Sequence, residues 1–250
     1  MKFRQKYVLT PKYLTCNTLR RSGQPISPAV KFIVAHDTGN PGSTADNNVR
    51  HYENTKNEKQ ASAHIFIDDK EIIECIPALT TNKPEKAWHV FYNLPTDNNK
   101  YGCDANDAAI GVEYCHGDNI NADEAYSKYI WTIAYICFKF NLDPKTSIVG
   151  HHILDPDRRT DPVFGLKKSG RTYEQLLSDI VLEYEKCLID DKLNLEVCEP
   201  WAESYWKWFR DQKFDLSINA YEKVDAQWVA TILGKYHELQ NQNKNSNLLK

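Results

Sequence analysis

The chain has 250 residues, 41% hydrophobic and 26% charged, which is ordinary for a globular protein with room for one sizeable domain and an appendage. A formal net charge of -3 and a pI near 6.2 leave no basic footprint, which argues against nucleic acid as a partner. No apolar run reaches the roughly 18 residues of a membrane-spanning helix, and residues 1–7 lack the apolar core of a signal peptide. The expectation is therefore synthesis in the cytoplasm without a transmembrane segment, and exit by another route for any work outside.

Residues 1–30 are polar, carry Pro11, Pro25 and Pro28 and show no sustained period, so they predict an irregular arm. The apolar run Phe32-Ile33-Val34-Ala35 predicts a buried strand that Gly39, Pro41 and Gly42 then break. A helix is expected over about 44–55. Alternation through Ala63-His64-Ile65-Phe66-Ile67, the turn Asp68-Asp69-Lys70 and a second run over 71–76 together predict a hairpin. The stretch 77–107, with Pro77, Pro84 and Pro95, reads as a long loop, the kind that lines a cleft.

A strand is expected over 109–115 and a helix over about 122–141, with Asn121 and Glu124 in capping-box spacing and Tyr126, Tyr129, Ile133 and Cys137 on one face. Another strand precedes His151, and Thr172 with Gln175 caps a last helix. This order predicts an α/β fold, a mixed central sheet flanked by helices, over 1–190. After about Asp190 the composition changes. Trp201, Tyr205, Trp206, Trp208, Phe209, Tyr221 and Trp228 crowd a segment expected to form a small helical extension over 191–250, a wall anchor or an oligomerisation element. Seven cysteines with no close pairing predict reduced, mostly buried thiols.

The segment from Gly150 to Pro162 carries the chemistry. His151 and His152 follow a short apolar run, and a proline-broken charged loop returns the carboxylate of Asp161. Imidazoles and a carboxylate are ligands that zinc accepts while keeping a position open for water. A third ligand should sit at another strand end, and His36 is the candidate.

The pieces Val34-Ala35-His36-Asp37-Thr38, Ser62-Ala63-His64-Ile65, Ala87-Trp88-His89, Ile110-Gly111-Val112-Glu113 and Gly150-His151, with Arg159-Thr160-Asp161-Pro162, stand in order over about 30–186. Together they resemble the motifs of the zinc-dependent N-acetylmuramoyl-L-alanine amidases. That family shares its fold with the peptidoglycan recognition proteins and includes phage and prophage endolysins. The resemblance implies zinc on His36, His151 and Asp161, in the aspartate variant of the third ligand, with peptidoglycan as partner.

Amide hydrolysis also needs a base that takes the proton of water and passes it to the leaving amine. Glu113, at the end of an otherwise apolar strand, is the candidate, because burial would raise its pKa toward the working range. Arg159 is the candidate to hold the oxyanion or an anionic peptide group. His89 is expected to contact substrate. His64 is either a core histidine or a second substrate contact. Two alternatives to a wall-degrading lysin stay open: a non-catalytic peptidoglycan-binding protein and a cytosolic amidase that recycles soluble muropeptides. The oligomeric state has no signal in the sequence.

Overall fold

The computed structural model describes residues 2–189 and Gly234. In chain order the first elements are β1 (Lys2–Phe3), β2 (Leu9–Pro11) and β3 (Phe32–Asp37), the last buried at all six positions. Thr44 caps α1 (Ala45–Asn54): its hydroxyl accepts from the Asn47 amide, one of the donors the first helical turn leaves open. β4 (Ile65–Ile67) and β5 (Ile72–Glu74) form the expected hairpin, and the Asp68 carboxylate shapes its turn by accepting the amides of Lys70 and Glu71.

The stretch 77–107, expected as loop, contains α2 (Pro95–Tyr101) and α3 (Ala105–Ala108). Neither is long enough to show a period, and their signals are local. Pro95 opens α2, Gly102 closes it at a φ of 72° that favours glycine, and the Asp104 carboxylate caps α3. β6 (Ala109–Tyr114) and α4 (Ala122–Lys139) follow, with the Asn121 side chain accepting the amides of Asp123 and Glu124. β7 (Ile148–Gly150) runs directly into α5 (His151–Leu154), and α6 (Val163–Lys168), α7 (Tyr173–Cys187) and β8 (Leu188–Ile189) complete the described elements.

The chain divides into two compact units, Gln5–Glu185 and a second made of Met1–Arg4 with Lys186–Lys250. In the second, β1 pairs antiparallel with β8. The expected extension over 191–250 lies outside the described residues apart from Gly234. The first unit holds a six-stranded sheet in the order β2-β5-β4-β6-β3-β7, parallel throughout except for the hairpin. The mixed sheet is thus as expected, but residues 1–30 are not wholly irregular. Leu9 to Pro11 pair with Ile72 to Glu74 as an edge strand, too short for alternation to register and at an edge where proline is tolerated.

Both faces of β3 are covered. On one, Tyr114 packs against Tyr129 of α4 at a ring separation of 5.2 Å, and the Tyr129 hydroxyl donates to the His36 carbonyl at 3.0 Å. On the other, Phe32, Val34, Ala109 and Val149 meet Val90, Ala105 and Leu154, with Tyr101 stacked on Phe32. Side chains alternate along a strand, so His36 shares the face of Phe32 and Val34. Among the described cysteines Cys75, Cys115, Cys137 and Cys187 are buried, and Cys16, Cys75, Cys103, Cys115 and Cys137 are free thiols. No helix among the described residues is long and apolar enough to cross a membrane.

Candidate metal centre and its cleft

Three parallel strands end side by side here, and the carboxyl ends of such strands are where open α/β sheets take ligands. His36 in β3 and Glu113 in β6 are register partners. Ala35 pairs with Gly150, so His151, one residue on, emerges beside His36. The loop after α5 folds back to bring in Asp161, whose carbonyl accepts the His152 amide at 2.9 Å and faces the His152 ring nitrogen at 3.2 Å.

One oxygen organises the cluster. Asp161 Oδ2 lies 2.8 Å from His36 Nδ1 and 3.0 Å from His151 Nδ1. Ligand atoms of the three residues all fall within 4.8 Å of one another. Zinc bonds of 2.0–2.1 Å in a tetrahedron set ligand atoms about 3.3 Å apart, so the three donors fit a divalent ion after a small outward relaxation. His36 Nε2 lies 3.1 Å from His89 Nδ1, a contact through which one ring orients the other.

The charges suit that use. Burial pulls the His151 pKa down to about 4 against the pull of Asp161, so its imidazole is neutral at pH 7. His89 is held well below the usual range by burial and by the neighbouring histidines. Burial alone would raise the Asp161 carboxyl, but the bonds from His151 and His36 outweigh it and keep the group ionised. Glu113 is pushed well above the carboxylate range by burial, then by Asp161 and Asp37, with Arg159 offsetting part of the rise. Its Oε2 is buried with no hydrogen-bond partner among the described residues.

A cleft of about 560 Å³ opens over the cluster, lined by His36, His89, Glu113, His151, Arg159 and Asp161 among others. Six of the seven expected site residues thus come together. Arg159 is exposed at the mouth, and its guanidinium has no hydrogen-bond or ion-pair partner among the described residues. His89 is closer in than a substrate contact requires, because its ring leans on Gly111. A Cβ there would stand 2.7 Å from His89 Cγ, so glycine is what lets the ring reach His36.

His64, for which the sequence left a core role and a substrate contact open, is the exception and does not line the cleft. It is fully buried beneath the site; its Nδ1 accepts the Gly111 amide at 3.0 Å and its Nε2–H donates to the Glu85 carbonyl at 2.9 Å. Both ring nitrogens are used by backbone, and none is left for a ligand. It packs as a buried histidine, and burial lowers its pKa to about 4.

Part of the wall comes from residues that carry little signal in the sequence. Asp37 lines the cleft and ties it to α6 by accepting the Gly165 amide at 2.8 Å. Arg20 comes from the arm, stacks 4.1 Å over Tyr52 and donates to the Thr55 hydroxyl. A lone arginine in a segment without period gives no local signal. Trp88 also lines the cleft, and its place next to His89 in a long loop was the available hint.

Fold and cluster together define the class: an α/β protein with a two-histidine, one-carboxylate site, able to hold a divalent metal, at the ends of parallel strands. A family model described as N-acetylmuramoyl-L-alanine amidase matches residues 26–164, and the chain belongs to that family. The N-acetylmuramoyl-L-alanine amidase BlyA of Bacillus subtilis (strain 168) is 34% identical over 160 residues, covering 58% of this chain and 40% of that protein. The chain therefore spans well under half the length of this curated relative. The fold recurs in the catalytic domain of XlyA, with a TM-score of 0.54 at 20% identity over 69% of this chain and 99% of that one. It recurs too in the Staphylococcus aureus hydrolase AmiA, solved with its ligand, with a TM-score of 0.55 at 21% identity over 72% and 85% of the two chains.

Proposed function

We propose that this chain is a zinc-dependent N-acetylmuramoyl-L-alanine amidase, hydrolysing the amide between the lactyl group of N-acetylmuramic acid and L-alanine in peptidoglycan. The observation that carries the reading is the shared Asp161 oxygen between two imidazoles, with the unpartnered Glu113 in register beside His36. His36, His151 and Asp161 would hold the zinc. Bound there, it supplies Lewis acidity, which lowers the pKa of water to about 7 and polarises a carbonyl.

The chain's own groups do the rest. Glu113 takes a proton from the attacking water and delivers it to the departing alanine nitrogen, and the burial that raises its pKa favours its holding the proton in between. As the C–N bond breaks and a C–O bond forms, the products are a lactyl carboxylate and a free L-alanine amine. His89 keeps the His36 ring in orientation. Arg159, unpaired at the mouth, is available to the developing oxyanion or to a carboxylate of the stem peptide.

Digestion of purified peptidoglycan tests this directly. New L-alanine amino termini should appear without new reducing sugars, and the purified chain should carry one zinc. Reducing ends would indicate a glycosidase, and binding without cleavage a recognition module. Use as a wall-degrading lysin rather than a recycling enzyme rests on the aromatic residues from Trp201 to Trp228, which lie outside the described residues. Faster release from intact walls than from soluble muropeptides is the expected result.

A further inference from the structure

Beside the catalytic cleft lies a second groove of about 450 Å³, within the range of small-ligand sites, roughly 300–1,000 Å³. Trp88 lines both, so the two share one residue of their walls. Val90, Phe91 and Tyr92 make the apolar wall of the groove, and Gln60 and Asn106 its polar part. Phe91 is 60% exposed and Tyr92 43%. Neighbouring exposed rings at a groove are a recognised mark of a binding surface.

The rings are held in place. The Arg158 guanidinium, bonded to Asp155 at 3.0 Å, lies 4.2 Å over the Phe91 ring. The Tyr92 hydroxyl donates to Asp107 at 3.0 Å, and the Lys86 ammonium, paired with the same Asp107, sits 5.4 Å from the Trp88 ring and 5.9 Å from that of Tyr92. Asn106 braces the wall from behind, accepting the amides of His89 and Val90 and donating to the Val90 carbonyl. Rings fixed before binding lose little conformational freedom when a ligand stacks on them.

The chemistry of the lining selects the ligand. Among the described residues no carboxylate, lysine or arginine is in the lining of this groove, Arg158 and Lys86 being engaged with its rings and with Asp155 and Asp107, whereas Lys59, Arg159 and Asp37 line the catalytic cleft. A charged stem peptide therefore belongs in the cleft, and the groove suits a neutral ligand with an apolar face and a hydroxyl-rich edge. The Trp88 indole N–H is buried without an acceptor among the described residues, and Gln60 is exposed with both donor and acceptor capacity. A sugar ring has C–H faces for the aromatics and hydroxyl or N-acetyl oxygens for the donors.

We propose that this groove is a glycan subsite, which binds the sugar adjoining the muramoyl residue whose stem is cut and so makes the enzyme prefer polymeric strands. The proposal rests on the amidase reading above. Wild-type protein should cleave peptide-bearing glycans of two or more disaccharides with a higher kcat/KM than a muramoyl dipeptide carrying one sugar. The Phe91→Ala/Tyr92→Ala double variant should lose about tenfold on the long substrate and nothing on the short one. Phe91→Leu, which keeps volume without a ring, serves if the double variant does not fold. Equal loss on both substrates, or no loss on the long one, overturns the subsite and leaves the amidase standing. Binding of tri-N-acetylglucosamine, followed by tryptophan fluorescence, separates the two readings. If neither substrate is cleaved the amidase reading falls, and the glycan groove then stands only if the double variant weakens trisaccharide binding.

Discussion

Glu74 and Glu113 lie at the ends of strands in one sheet, yet their surroundings differ completely. Glu74, fully buried at the end of β5, accepts the amides of Ala78, Leu79 and Thr80 at 2.6, 3.1 and 3.0 Å, so it anchors the loop that follows. Glu113, near the end of β6, has a buried oxygen with no partner and two carboxylates, Asp161 and Asp37, nearby. The histidines divide in the same way. His64, in the hairpin half of the sheet, gives both nitrogens to backbone, whereas His36 and His151, at the β3 and β7 ends, turn theirs to Asp161. Where the fold satisfies a polar side chain, that side chain is structure. Where the fold leaves it unmatched, at a cost of about 1–3 kcal/mol, it is available for chemistry.

The contrast can be broken at four points. Removing a ligand has the largest effect: His36→Ala, His151→Ala and Asp161→Ala should each lower zinc content and abolish hydrolysis, and full metal retention in the His36 variant would remove it from the ligand set. Next comes Glu113→Gln, which should keep zinc and the thermal midpoint while the rate falls at least about a hundredfold, the usual size of a general-base contribution. Unchanged turnover would exclude Glu113 from the mechanism.

Glu74→Ala should do the opposite. It strands three backbone amides, so the stability read from urea unfolding should fall by about 3 kcal/mol while activity per folded molecule holds. The effect that is smallest at neutral pH is on pH dependence. His64 stays neutral in the folded chain down to about pH 4, whereas an unfolded histidine titrates near 6.5. The unfolded state therefore binds the extra proton between these values. The contribution of His64 is complete above about pH 6.5 and is lost as pH falls toward 4, by about 1.4 kcal/mol per pH unit. In His64→Gln, the stabilities at pH 7 and pH 4.5 should lie closer together by about 2–3 kcal/mol, that slope over about two pH units; an unchanged difference would mean that the ring is not desolvated.

Local pattern determined most of the frame. The apolar run ending at His36 marked β3, Thr44 and Asn121 marked helix starts through their caps, and alternation about Asp68 marked the hairpin. These were legible because the periods of strand and helix, and the geometry of a cap, lie within a few consecutive residues. Residue chemistry also sufficed to nominate His36, His151, Asp161 and Glu113. The elements that escaped were β2, three residues long and defined by its partner β5, and the short helices α2 and α3, set by single prolines, glycines and caps.

Tertiary structure decided how the polar groups are used. That one oxygen of Asp161 meets two imidazoles follows from the register of β3 with β7 and from a loop that folds back on His152. That His64 is spent on backbone, that Arg20 reaches the cleft from the arm, and that Trp88 lines both cleft and groove depend on partners up to tens of residues away in the chain. A side chain's type is a property of its own position, but whether its donors and acceptors are satisfied is a property of the assembled fold.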